Sequence, residues 1–136
     1  MRISIYLFIA TVLFTTSCKK QTAEPISIET KLTGKWKFEN IILGLTGTKY
    51  VAVPSQVDVI QFKVDHSFVR TTNNEFTAQG TYNITQAKSI FTQKNDNILT
   101  YSPQQGQPSV ISITTDTLRL SENVYDGNSI TYSRVK

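Results

Sequence analysis

Apolar residues recur at every second position along most of the chain beyond residue 30. Trp36, Phe38, Asn40 and Ile42 share one side of 35–43. Ile60, Phe62 and Val64 share a side of 57–64, and Phe76, Ala78, Gly80, Tyr82 and Ile84 share one of 76–85. The pairs Leu99/Tyr101, Ile111/Ile113, Leu118/Leu120 and Ile130/Tyr132 continue the pattern through 97–102, 109–115, 117–122 and 129–135. The positions between them are mostly Thr, Ser, Lys, Gln and Asn. A period of two puts alternate side chains on opposite faces, so these runs predict antiparallel strands with one buried and one wet face. No stretch of helical length keeps a helical apolar period.

Turn-forming residues separate the runs: Gly44 to Thr48, Pro54-Ser55, Asp65-His66, Asn73-Asn74, Gln86 to Lys88, Asn95 to Asn97 and Pro103 to Pro108. Asp126-Gly127 reads as a two-residue hairpin turn, because glycine accepts positive φ. The fold class is therefore all-β. The expected architecture is an antiparallel up-and-down meander of about eight strands closed into a barrel, with a sandwich as the other way to close it. Closure removes the exposed edges of an open sheet.

The first residues follow a different rule. Met1-Arg2 is a short positive start, Ile3 to Phe14 is a mostly apolar stretch, and Thr15, Thr16 and Ser17 are small. That is the layout of a secretory signal peptide over 1–17. Its apolar stretch, about 18 Å as a helix, is too short for a hydrocarbon core of about 30 Å. Cys18, the only cysteine, follows at the cleavage point. Thr15-Thr16-Ser17-Cys18 resembles the lipobox of bacterial lipoproteins, in which this cysteine is acylated. The resemblance implies lipidation of Cys18, attachment to a membrane through its acyl chains, and a place in the bacterial cell envelope, at the outer membrane. Residues 18–30, polar and holding Pro25, read as the lipidated cysteine and a flexible tether. Residues 31–136 then form the domain.

Composition excludes more than it selects. The net charge of +4 comes from 14 Lys/Arg against 10 Asp/Glu, spread along the chain without a basic stripe interleaved with aromatics, so no nucleic-acid partner is expected. One Cys cannot close an intramolecular disulfide, and one Cys with one His cannot build a Cys/His zinc site. His66, beside Asp65, reads as a turn residue. No carboxylate pair is set apart for acid–base work, and no glycine-rich loop leads into a helix. The chain is read as a non-enzyme with no cofactor and no metal.

The first strand carries Leu32-Thr33-Gly34-Lys35-Trp36-Lys37, and the closing segment runs from Asp116-Thr117-Leu118-Arg119-Leu120 to Tyr132-Ser133-Arg134, with Gly80-Thr81-Tyr82 between them. Over about 31–136 these features resemble the lipocalin-like domain of small bacterial lipoproteins. The resemblance implies that Trp36 plugs one end of the barrel and that Arg134 packs across its ring as a structural closure. Such a contact is worth about 0.5–2 kcal/mol.

An eight-stranded barrel is either filled by side chains or holds one small ligand. The large rings Trp36, Phe38, Phe62, Phe76, Tyr82 and Tyr101 favour filling, and the small Ala78 and Gly80 favour a hollow. For a hollow, Asn40, Tyr82, Tyr101 and Tyr132 are the inward candidates for orienting a polar end of a ligand, with Tyr50 and the 44–56 loop as a lid. Two functions follow as expectations. One is a lipid-anchored envelope protein binding a small apolar or amphipathic ligand. The other is a non-enzymatic interaction or structural module with an envelope protein partner and a filled barrel.

Overall fold

The computed structural model describes residues 26–136. The segment 1–17 read as a signal peptide, Cys18 and most of the segment 18–30 read as a tether lie outside the described residues. A short helix, α1 (Ile28–Leu32), precedes nine strands: β1 (Gly34–Ile42), β2 (Lys49–Val51), β3 (Asp58–Phe62), β4 (Ser67–Thr72), β5 (Glu75–Lys88), β6 (Asn95–Ser102), β7 (Ser109–Ile113), β8 (Thr117–Glu122) and β9 (Ser129–Arg134). All pairings are antiparallel. The strands follow one another as β1-β3-β4-β5-β6-β7-β8-β9, and β9 returns to pair with β1. The result is a closed eight-stranded barrel, with β2 added beside the outer half of β1.

Helix α1 begins within the segment 18–30 that the sequence reads as a tether. Ser27 caps α1 by accepting the Thr30 amide, and Leu32 is fully buried. One helical turn thus covers 28–30, because the amphipathic pair Ile28 and Leu32 packs on the base of the barrel. Two further strands, β2 and β4, appear where no run was assigned. The β4 segment, Ser67-Phe68-Val69-Arg70-Thr71-Thr72, alternates but places a charge among its inward positions.

Bulges at two places decide which residues face inward. Phe38 pairs with Tyr132, but Asn40 pairs with Thr131, so Glu39 is the extra residue in β1. In β5, Ala78 pairs with Arg70 and Phe76 with Thr71, which makes Thr77 the extra residue. An inserted residue switches the faces of everything beyond it. Asn40 and Ile42 therefore leave the face of Trp36 and Phe38, and Phe76 turns outward with 62% exposure. Val64 lies beyond the end of β3 and is exposed.

Turn chemistry follows local rules at two hairpins. Asn73 and Asn74, with φ 52° and 67°, form the two-residue turn between β4 and β5. Asp65 accepts from both the amide and the hydroxyl of Ser67 in the β3–β4 turn, where His66 has φ 62°. Asp126-Gly127 is not a two-residue hairpin. It ends a turn closed by the Gly127 amide on the Val124 carbonyl within a longer loop. Gly127 is held there by space, since a Cβ would come 2.7 Å from the Glu122 carbonyl oxygen.

Within the barrel, Trp36, Ile60, Phe62, Phe68, Tyr82, Leu99, Leu118 and Leu120 pack with Leu32 into one core. Among the described residues every strand pairing and this core lie within 28–134, so 26–136 carry the closed barrel with its own hydrophobic core.

Candidate functional site

The two ends of the barrel differ. The end covered by α1 is sealed. The Trp36 indole Nε1–H donates to the Leu32 carbonyl at 2.7 Å, and the Arg134 guanidinium lies 4.1 Å from the centre of the Trp36 ring. Arg134 also donates to the carbonyls of Lys31 (2.6 Å), Thr33 (3.2 Å) and Thr115 (3.1 Å). One guanidinium ties α1, the start of β1 and the β7–β8 turn together.

The opposite end is open. A cleft of about 290 Å³ is walled by residues of five neighbouring strands, β9, β1, β3, β4 and β5. Phe38, Ile60, Ile130 and Tyr132 give it apolar walls, while Asp58, Arg70 and Thr72 bring polar groups to it. The barrel is parted beside this cleft. β1 pairs with β3 only through Gly34 to Lys37, and from Asn40 onward its partner on that side is β2. The segment after β2 fills the gap, with the Ala52 amide donating to the Glu39 carbonyl at 2.8 Å. A smaller hollow of about 130 Å³ lies there, lined by Val51, Ala52, Val53 and Gln56, and it shares Phe38 and Asp58 with the main cleft.

Arg70 enters the barrel because it alternates with the buried Phe68 on β4. Its cross-strand partner on β5 is the small Ala78, which leaves room for a long side chain. The guanidinium lies 5.4 Å from the Tyr101 ring centre and 5.9 Å from that of Phe68. Among the described residues its Nε is buried without a hydrogen-bond partner in good geometry, and so is the Tyr101 hydroxyl. Among the described residues the one ion pair joins Lys37 and Glu39, so no carboxylate closes on Arg70. Asp58 faces the same cleft, but its two oxygens already accept from the Thr72 hydroxyl and the Gln56 side-chain amide. Burial pushes the Tyr101 phenol well above the usual tyrosine range, with the Tyr132 phenol adding to the rise and Arg70 opposing it. Burial raises Tyr132 too, against the pull of Arg70.

The four inward candidates separate. Tyr132 lines the cleft, and Tyr101 meets Arg70 behind it. Tyr82 is inward but belongs to the sealed end, where its hydroxyl donates to the Lys63 carbonyl at 2.9 Å. That correction follows from the strand direction, which carries Tyr82 down to the β3–β4 turn. Asn40 is off this face altogether because of the bulge at Glu39. Gly80 makes no hollow: a Cβ there would stand 2.4 Å from the Ser102 carbonyl oxygen and 3.0 Å from the Phe68 ring. Tyr50 lies on β2 and is exposed. Arg70 and Asp58 were missing from the candidates. The signal for Arg70 was its place two residues after Phe68 in an alternating run.

Among the described residues no three His, Cys, Asp or Glu side chains gather as a metal site. The chain matches no protein-family model, no curated protein and no solved structure.

Proposed function

We propose that this chain is a lipid-anchored, lipocalin-like protein of the bacterial cell envelope, a non-enzyme whose barrel binds a small amphipathic ligand. The observation that carries the reading is the open cleft with Phe38, Ile60, Ile130 and Tyr132 on its walls and Arg70 reaching into it. Its volume is at the lower end of the few hundred Å³ usual for small-molecule sites, so the ligand is compact. The filled lower barrel supplies a rigid floor, and the parted β1/β3 edge supplies a way in. Acyl chains on Cys18 hold the barrel at the membrane, since each buried CH₂ adds about 0.8 kcal/mol of anchoring.

A second reading, a module that docks an envelope protein, draws on Val51, Val53 and Phe76, which are 64%, 52% and 62% exposed. Native mass spectrometry of residues 26–136 isolated from a bacterial envelope separates the two. A discrete extra mass that leaves on denaturation is the expected result. A bare barrel that also ignores added alkyl and aryl amphiphiles would overturn the ligand reading in favour of docking.

A further inference from the structure

We propose that Arg70 anchors the carboxylate of a small amphiphile whose apolar body lies along Phe38 toward Val51 and Val53. The inference rests on the reading of the cleft as a ligand site and adds the chemical class of the ligand.

A guanidinium inside a barrel is costly unless its donors are used. The rings of Phe68 and Tyr101 hold it in place, yet cation–π contact leaves N–H groups unspent. Two buried groups therefore stand beside each other without a hydrogen-bond partner in good geometry, Arg70 Nε–H, a donor, and the Tyr101 hydroxyl, which can donate or accept. Buried polar groups in folded proteins are rarely left so, and an incoming anion supplies what both lack. The planar guanidinium fork matches a carboxylate in shape and charge.

Asp58, the other charged group at the cleft, does not take this role. It stays outside ion-pair distance of Arg70 and is occupied by Thr72 and Gln56. The rest of the ligand is defined by the walls. Below Arg70 the barrel is packed with Phe62, Phe68 and Leu99, so a tail cannot run down the axis. The route left leads sideways, past Phe38 into the hollow lined by Val51, Ala52 and Val53 on one side and by Gln56 and Asp58 on the other.

Octanoate, octan-1-ol and octylammonium share one tail and differ in charge. Each is titrated into residues 26–136 and followed by NMR, which reads affinity and place together. Octanoate is expected to bind about tenfold or more tighter than octanol, with octylammonium weakest. Only octanoate moves the Arg70 Nε–H resonance downfield. Arg70→Met, which keeps length and loses charge, brings octanoate down to the affinity of octanol while octanol is unchanged. Arg70→Gln replaces it if the Met variant fails to fold. Equal affinity of octanol and octanoate for the cleft overturns the carboxylate proposal and leaves the ligand reading standing, as does an undiminished preference in the folded variants. Failure of all three to bind overturns both.

Discussion

The Arg134 guanidinium stacks 4.1 Å over the Trp36 ring while two of its nitrogens donate to the Lys31 and Thr33 carbonyls on either side of Leu32. The last strand thereby clamps the residues that seal the base of the barrel. Trp36 is fully buried, so the guanidinium covers a ring face that would otherwise meet water.

Arg134→Ala removes this clamp. A loss of about 2 kcal/mol in unfolding free energy is expected, from the cation–π contact and the partly exposed hydrogen bonds together. Urea unfolding followed by Trp36 fluorescence measures it. Affinity for octanoate should be unchanged, since the cleft is at the other end. Lost binding with unaltered stability would contradict the structural role.

Gly80→Ala tests the close approach of β5 to the end of β6. The added Cβ meets the Ser102 backbone oxygen at 2.4 Å, and backbone cannot swing aside as a flexible side chain can. Overpacking of this kind costs about 1–3 kcal/mol. A clear drop in Tm is expected, and an unchanged Tm would show that the strands part freely there.

Alkaline pH has a predictable sign. Tyr82, Tyr101 and Tyr132 ionise above the ordinary value of 10.0, mainly because burial disfavours the phenolate. Their folded values exceed the unfolded one, so the stability they contribute is whole below about pH 10 and falls as pH rises beyond it. Chemical denaturation in steps above pH 10 should show the decline. Phenolate absorbance should show these three titrating late. Early titration of all tyrosines in the folded state would contradict the burial argument.

Ala78→Leu places a larger side chain opposite Arg70 and takes the room the guanidinium uses. Octanoate affinity is expected to fall about tenfold or more in the NMR titration. Asn40→Ala, off the cleft face, should leave that affinity unchanged. An equal loss in the Asn40 variant would place the site elsewhere.

The anchor has its own test. Cys18→Ser should abolish acyl labelling and release the protein from envelope membranes into the soluble fraction. A variant that stays with the membrane would point to the uncleaved apolar segment of 3–14 as the attachment.

Strand after strand was legible in the sequence because alternation is a local property. The runs at 97–102, 109–115, 117–122 and 129–135 overlap β6 to β9 closely, and Pro103 to Pro108 marks the reversal after β6, whereas Gln86 to Lys88 and Asn95 to Asn97, expected as turns, pair with each other inside β5 and β6. The β4 strand was hidden because Arg70 stands at an inward position, where a polar residue breaks the apolar signal. That residue is also the charged group that reaches into the cleft, so the position least like a core strand is the one on which the proposed ligand site rests.

By itself the sequence determined the class and the meander order, since alternation and turns can be read along the chain, while the contact of Trp36 with Arg134 was an expectation from the resemblance alone. Only the tertiary structure decided which side chains share a space. The extra residues Glu39 and Thr77 exist only relative to a partner strand, and each switches the facing of its neighbours. The parting of β1 from β3, which opens the cleft, depends on β2 taking β3's place beside β1. Pairing between distant segments sets these features, and a local pattern carries no record of it.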